Sequence, residues 1–352
     1  MAIIKFNNVE IKAISACVPK KIEYNSDLGY LIPAEEIDKT INSIGIAEKR
    51  IADLDVCSSD LCFRAAEILI NDNNIDRNTI DALIFISQTP DYRQPATAMS
   101  LQHRLGLPKT TLSFDVNLAC SGYIYGLSIA STFASSQGVN NVLLLVGETM
   151  SKTISRKDKV TTPLFGDAGT ATFVSKVDNT NSLFSLNSDG GEADILRIPY
   201  GGYRNPSCEE GLKMVVDSEG NMKTGEELNM NGMDVFNFGL REVPRDITRI
   251  LKETELSIQN IDLIIFHQAN KFMTDFFAKK LRISLEKTPY SLAKFGNTSS
   301  ASIPLTIVSE MFNNEQYKNR EKVIVSGFGA GLSWASALVN LSNTKISKLI
   351  EY

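Results

Sequence analysis

Asp115-Val116-Asn117-Leu118-Ala119-Cys120-Ser121-Gly122 is the stretch on which the reading of this chain turns. Before it, Thr111 to Phe114 with Val116 form a short β-prone run. After it, Tyr123 to Gln137 carries Ile124, Leu127, Ile129, Ala130 and Phe133 at roughly helical spacing. Cys120 therefore falls where a strand hands over to a helix N-terminus. Its small neighbours Ala119, Ser121 and Gly122 leave room for a carbonyl group to approach the sulfur. Unpaired N–H groups and the positive end of the helix dipole are expected to favour thiolate over thiol there. The competing reading is an inert buried thiol, the ordinary fate of an unpaired cysteine. Partners elsewhere in the chain have to decide.

Outward from this stretch the chain repeats itself. Ile80-Asp81-Ala82-Leu83-Ile84-Phe85 returns as Ile261-Asp262-Leu263-Ile264-Ile265-Phe266, and Val142 to Gly147 returns as Val323 to Gly327, each roughly 180 residues later. Leu105 and Leu281 each precede a β-prone run and a small-residue elbow, which holds Cys120 in the first copy and Asn297 in the second. A period this long means a duplicated domain and not a solenoid. The expected halves are residues 1–178 and 179–352, divided at the polar run Asp178 to Asn181. Ala82 to Ser87 and Asn141 to Gly147 are apolar runs of strand length, alternating with helical patterns over 58–71 and 95–106. That alternation indicates an α/β layered fold. Residues 187–225, rich in Gly, Asn and Ser, read as loops or short strands over a site. Met230 to Thr254 reads as a long helix with a kink or break at Pro244.

Bulk properties narrow the function. The chain has 352 residues, 43% hydrophobic and 22% charged, as in an ordinary globular protein with a large core. A net charge of −5 argues against a general nucleic-acid binder. No apolar run is long enough to span a bilayer, and Met1 to Glu10 lacks a signal-type apolar segment, so a cytoplasmic location is expected. Cys17, Cys57, Cys62, Cys120 and Cys208 are scattered without a C-x-x-C pair, so neither a metal site nor a disulfide framework is expected.

Cys–His chemistry is confined to His103 and His267. His103 sits beside Arg104 in a helical pattern and reads as solvated surface. His267 closes the apolar strand Leu263 to Phe266 and opens His-Gln-Ala-Asn. The C-terminal end of a buried strand is where α/β folds place their chemistry. Asn297 stands at the tip of the turn Phe295 to Ser302, where its plainer role would be an N-cap. Gly327-Phe328-Gly329-Ala330-Gly331 lets backbone N–H groups approach a ligand, but its spacing is not that of a dinucleotide fingerprint. Phe165-Gly166-Asp167-Ala168-Gly169 reads as structural support near the half boundary.

Ala-Cys-Ser-Gly, His-Gln-Ala-Asn, Gly-Asn-Thr-Ser-Ser-Ala-Ser-Ile-Pro and Gly-Phe-Gly-Ala-Gly-Leu-Ser-Trp, in this order, resemble the β-ketoacyl-acyl-carrier-protein synthase III branch of the thiolase superfamily. The likeness runs from Ile44-Gly45-Ile46 to Val339. It implies a five-layered αβαβα fold of two duplicated halves, a homodimer, and an acyltransferase that performs a decarboxylative Claisen condensation. The thiolate of Cys120 would take an acyl group from a thioester. His267 and Asn297 would donate hydrogen bonds to the oxygen of a malonyl thioester as it loses carbon dioxide. Backbone N–H groups of Cys120 and Ala330 would hold the acyl-transfer oxyanion, although the family usually has glycine at Ala330. Gly232, Asn270, Phe328 and Gly329 would bind substrate, with a phosphopantetheine arm passing Gly232 and Asn270. Lys271, Lys279, Lys280 and Arg282 would receive an acidic acyl carrier protein, against the plainer reading of a solvated helix face. No cofactor or metal is implied.

The sequence departs from well-known members at Lys39, Ser43, Lys159 and Phe272, which stand where they place groups around coenzyme A, and at Gln94, which replaces the aromatic residue closing the acyl pocket across the dimer. These departures put coenzyme A priming in doubt and leave pocket length open. Two other readings stay open: an acyltransferase passing the acyl group to an alcohol or amine, and a non-catalytic partner subunit that binds a carrier protein.

Overall fold

The two sequence copies fold as two β-sheets. In the computed structural model, which describes residues 2–312, 314–317 and 320–352, two short C-terminal strands extend the first sheet and ten main strands build the rest. The ten are β1 (Ala2–Phe6), β2 (Val9–Val18), β3 (Ala82–Ile86), β4 (Leu112–Val116), β5 (Asn141–Thr149), β6 (Asp167–Lys176), β7 (Ser182–Ser188), β8 (Leu263–Phe266), β9 (Val323–Gly329) and β10 (Ser333–Val339). The first sheet runs β2-β6-β5-β3-β4 and the second β1-β7-β10-β9-β8. β3 and β5 pair in parallel, β5 and β6 antiparallel, β6 and β2 antiparallel. β8, β9, β10 and β7 repeat that sequence of senses. The duplication is therefore one of topology, not only of sequence.

Burial follows from the residues. Every residue of Ala-Leu-Ile-Phe-Ile in β3 and Leu-Ile-Ile-Phe in β8 is buried, because both faces of each sheet are covered. The helices Gly122–Ser135 and Ser302–Met311 lie between the sheets, with Ile124, Leu127, Ile303 and Ile307 packed against inward residues such as Ile84, Val146 and Val325. Ser58–Asp72 and Thr97–Arg104 cover the outer face of the first sheet. Gly232–Glu253 and Lys271–Leu281 cover that of the second. The result is five layers, αβαβα.

The chain ends cross between the copies. Ala2–Phe6 pairs with β7 of the second sheet, while Lys345–Ile346 and Ile350–Glu351 pair with β2 of the first. A cut near residue 178 thus leaves each half without an edge strand supplied by the other.

Two local expectations are corrected. The helix Gly232–Glu253 runs through Pro244 without a break. A proline strips the carbonyl four residues earlier of its helical partner, and here Lys280 Nζ donates to that carbonyl, Leu240 O, at 3.2 Å. The β-prone run after Leu281 forms no strand among the described residues; it gives a turn at Leu285–Lys287 and a short helix at Leu292–Phe295. There Gln268 Oε1 accepts the Ser291 N–H at 3.1 Å, a partner that a sheet neighbour would otherwise supply.

Candidate active site

Cys120 is delivered by the first sheet. β4 ends at Val116, and the helix begins at Gly122, two residues beyond the sulfur. Register at this edge is fixed by Asp115, whose two carboxylate oxygens accept the Thr97 and Ala98 N–H groups at 2.7 Å each. The N-cap Ala96 has no oxygen to offer, so a strand residue caps the Thr97–Arg104 helix instead. On the other side of the sulfur lies Gly329. A Cβ there would stand 3.0 Å from Cys120 Cβ and 3.1 Å from Sγ, so no side chain fits without displacement.

His267 follows β8, and its N–H donates to Ser326 O at 2.7 Å. The ring is 2% exposed and meets the Phe328 ring edge-on at 5.8 Å. Burial pushes the imidazole down to about 3, so it is neutral at ordinary pH. Its Nδ1 lies 2.7 Å from Ser302 Oγ, which also accepts the Gln268 N–H at 3.4 Å. If Nδ1 carried the ring proton, the Ser302 hydroxyl hydrogen would be buried without an acceptor. The satisfied arrangement has Ser302 donating to Nδ1, which places the ring proton on Nε2.

Asn297 is held by three backbone contacts. Gly296 precedes it at φ +65°, a conformation that favours glycine. The Asn297 N–H donates to Leu164 O at 2.8 Å, and its carbonyl accepts the Gly166 N–H at 3.1 Å. The Leu164–Gly166 segment, just before β6, therefore braces the Asn297 turn, so the support it gives goes to the site. Asn297 Oδ1 accepts the Ser299 N–H at 2.8 Å, leaving Nδ2 as the donor that this side chain can offer a ligand.

These groups converge on one cavity of about 460 Å³. Cys120, His267, Asn297, Phe328 and Gly329 line it, and so do Gly232 and Asn270. Asn270 has a structural task as well, capping the Lys271–Leu281 helix by accepting the Met273 N–H at 2.9 Å. Ala330 is not on the lining; its carbonyl accepts from Ser333 Oγ at 3.0 Å, and that hydroxyl meets Ser121 Oγ at 2.7 Å, tying the Ala330 peptide to the residue after the cysteine. The sequence reading missed an apolar wall made by Ile44, Leu164, Phe165, Leu196, Met230 and Phe236. Of these, Phe165 stood in the Phe-Gly-Asp-Ala-Gly motif and Ile44 in the stretch where the family likeness begins.

Of the basic residues expected to dock a carrier, none lines the cavity. Lys271 is ion-paired with Asp275, and Lys280 is engaged with Leu240 O over the Phe276 ring. Lys279 and Arg282 are exposed near the C-terminal end of that helix. Lys159 donates to Glu219 O at 2.8 Å, Phe272 meets Phe236 at a 42° tilt with ring centroids 5.4 Å apart, and Gln94 is exposed.

The expectation of a resting thiolate is overturned. Burial raises Cys120 to about 12, with the Glu148 charge adding to the rise, and the Ser299 hydroxyl 3.5 Å from Sγ recovers only part of it. A cysteine 8% exposed loses more hydration than a helix beginning at Gly122 returns. The resting site therefore holds a neutral thiol and a neutral imidazole.

Residues 114–190 match the family described as 3-oxoacyl-[acyl-carrier-protein (ACP)] synthase III, and residues 251–341 match its C-terminal counterpart. A putative 3-oxoacyl-[acyl-carrier-protein] synthase 3 of Campylobacter jejuni is 33% identical across 99% of this chain and 98% of its own length. The β-ketoacyl-[acyl-carrier-protein] synthase III of Natranaerobius thermophilus is 35% identical across 95% of this chain and 99% of its own. The crystal structure of a 3-oxoacyl-(acyl-carrier protein) synthase from Burkholderia xenovorans superposes with a TM-score of 0.93 at 36% identity, covering 100% of this chain and 99% of that one. The corresponding synthase III from Thermus thermophilus gives 0.82 at 32% identity over 94% and 98%. A duplicated αβαβα fold of the thiolase type, a cysteine elbow from one copy and a histidine and asparagine from the other thus coincide with these likenesses, and the chain belongs to the 3-oxoacyl-[acyl-carrier-protein] synthase III family.

Proposed function

We propose that this chain joins an acyl group held on Cys120 to the two-carbon unit of a malonyl thioester, carried by an acyl carrier protein, to give a 3-oxoacyl thioester for acyl-chain synthesis. The observation that carries the reading is the convergence of Cys120 from one copy with His267 and Asn297 from the other in a single cavity. Cys120 attacks the carbonyl of an acyl thioester, its proton leaves with the departing thiol, and the acyl group stays on sulfur. Backbone N–H groups of Cys120 and Ala330 hold the oxyanion of that transfer. In the second step the malonyl thioester loses carbon dioxide. His267 Nε2–H and Asn297 Nδ2 donate to the thioester oxygen as the enolate forms. The enolate carbon then bonds to the acyl carbon, and the Cys120 sulfur leaves as a thiolate and takes a proton from water.

A neutral donor pair suits this chemistry. Among the described residues lining the cavity there is no carboxylate, and an anion there would repel both the malonyl group and the enolate. A homodimer is part of the proposal: β4 lies at an open sheet edge, with Leu112 exposed and its other residues half-buried, just before the catalytic turn. Carrier docking on the Lys279 and Arg282 end of the Lys271–Leu281 helix, a cytoplasmic setting and a reaction without cofactor complete it. Among the described residues no helix is long and apolar enough to cross a membrane.

A panel of acyl-coenzyme A and acyl-carrier-protein donors, read by intact mass, tests the first step and identifies the donor. Carbon dioxide release from a malonyl thioester tests the second. An adduct on Cys120 that passes to an alcohol or amine without carbon dioxide release would replace condensation by simple acyl transfer. No adduct with any donor would leave a binding subunit as the better account.

A further inference from the structure

One buried carboxyl stands behind the site. Glu148 is fully buried near the end of β5, in the copy that carries Cys120. One of its oxygens, Oε1, accepts from Ser300 Oγ at 2.8 Å, in the turn that also holds Asn297. The other, Oε2, accepts from Gln88 N at 3.0 Å, Thr89 Oγ1 at 3.1 Å and Ser87 Oγ at 3.3 Å, all in the segment after β3. Four donors and no cation is an unusual setting for a buried carboxylate. The same two segments close around the sulfur: Ser299 Oγ lies 3.5 Å from Cys120 Sγ and donates to Gln88 Oε1 at 3.5 Å.

Resting on the condensing reading above, we propose that Glu148 is a positioning residue whose ionised carboxylate clamps the Asn297–Ser302 turn of the second copy to the Ser87–Thr89 segment of the first, fixing the Asn297 donor relative to Cys120. An ionised carboxylate accepts from all four donors together. A protonated one carries a hydrogen on one oxygen, so a hydroxyl such as Ser300 or Thr89 must turn and accept there, and the charge-assisted bonds that tighten the clamp are lost on that side. Desolvation and the four hydrogen bonds oppose one another and bring this carboxyl to about 7. The titratable groups around it do not take over its charge. Cys62, packed from the Ser58–Asp72 helix, and Cys120 are both raised by burial and stay protonated. Tyr123 of the central helix is also raised and meets Thr172. Asp167 on the adjacent strand accepts from Ser151 and Ala52, and Asp91 accepts from Ser59.

The test is single-turnover condensation of pre-acylated enzyme with a malonyl thioester, followed from pH 5.5 to 9. Wild type is expected to slow as pH falls through about 7. Glu148→Gln keeps the shape but offers one accepting oxygen. It is expected to acylate at the wild-type rate, to condense on the order of tenfold to a hundredfold more slowly at pH 8, and to lose the acidic limb. Ser300→Ala removes one donor to the charged form, so its limb is expected to move to higher pH. This second variant decides the matter if Glu148→Gln fails to fold. Equal condensation rates in wild type and Glu148→Gln at every pH, or an unmoved limb in Ser300→Ala, would overturn the assignment while leaving condensation intact. Wild-type enzyme that forms no acyl adduct would sink the condensing reading itself, and this inference with it.

Discussion

The two copies share one order of strands but finish their third repeat element differently. In the first, the run before the elbow is a true strand, Leu112–Val116, at an open sheet edge; in the second, the matching run stays out of the sheet and Gln268 answers its N–H. The elbows diverge accordingly. The first leads into a 14-residue helix buried between the sheets and presents a sulfur. The second is a turn pinned on both sides by the Leu164–Gly166 backbone and presents an amide. Duplication supplied two equivalent positions facing one cavity, and in the proposed reaction one serves as nucleophile and the other as hydrogen-bond donor. Both copies arrive at neutrality by the same cause, burial, which raises the thiol and lowers the imidazole.

That contrast can be broken most severely at the sulfur. Cys120→Ala is expected to lose the acyl adduct completely, measured by intact mass with each donor. Next in size, His267→Ala and Asn297→Ala are expected to keep the adduct yet slow carbon dioxide release by on the order of 10²–10³-fold each. Equal loss of both steps in either variant would assign that residue to the wrong half-reaction. The ionisation contrast is sharpened by pH. Iodoacetamide labelling of Cys120 is expected to rise about tenfold per pH unit between 7 and 10, because the thiolate is a minor species below about 12. Condensation, by contrast, should show no inflection from the imidazole above pH 5, since His267 titrates near 3. Smaller still, Gly329→Ala is expected to cost about 1–3 kcal/mol in urea unfolding through its clash with Cys120. Least of all, Asp115→Ala should cost about 1 kcal/mol by uncapping the Thr97–Arg104 helix.

What was legible in the sequence was local or repeated. The strand–Cys120–helix junction, the apolar strands and their recurrence set the layers, and His267 and Asn297 stood at turns with small neighbours. What was not legible depends on contacts between distant segments. Ser302 beside His267 and Ser300 beside Glu148 look like any serine in a small-residue run until the fold joins positions 35 and 152 residues apart. The thiolate was misjudged because helix position can be read from sequence whereas depth of burial cannot. The partner of Lys280 was hidden for the same reason, because the carbonyl that Pro244 frees lies on another helix altogether. Pro244 was read from the rule for isolated helices; in the fold the helix does not break there, and the carbonyl the proline frees has an ammonium partner on a neighbouring helix.

The crossed chain ends have a consequence for how the protein could be dissected. Because Ala2–Phe6 belongs to the second sheet and Ile350–Glu351 to the first, a break in the polar run Asp178 to Asn181 would yield two fragments that embrace one another at both ends. Fragments made separately would each expose a bare sheet margin, whereas fragments made together should be recovered as one interlocked particle with its cavity intact.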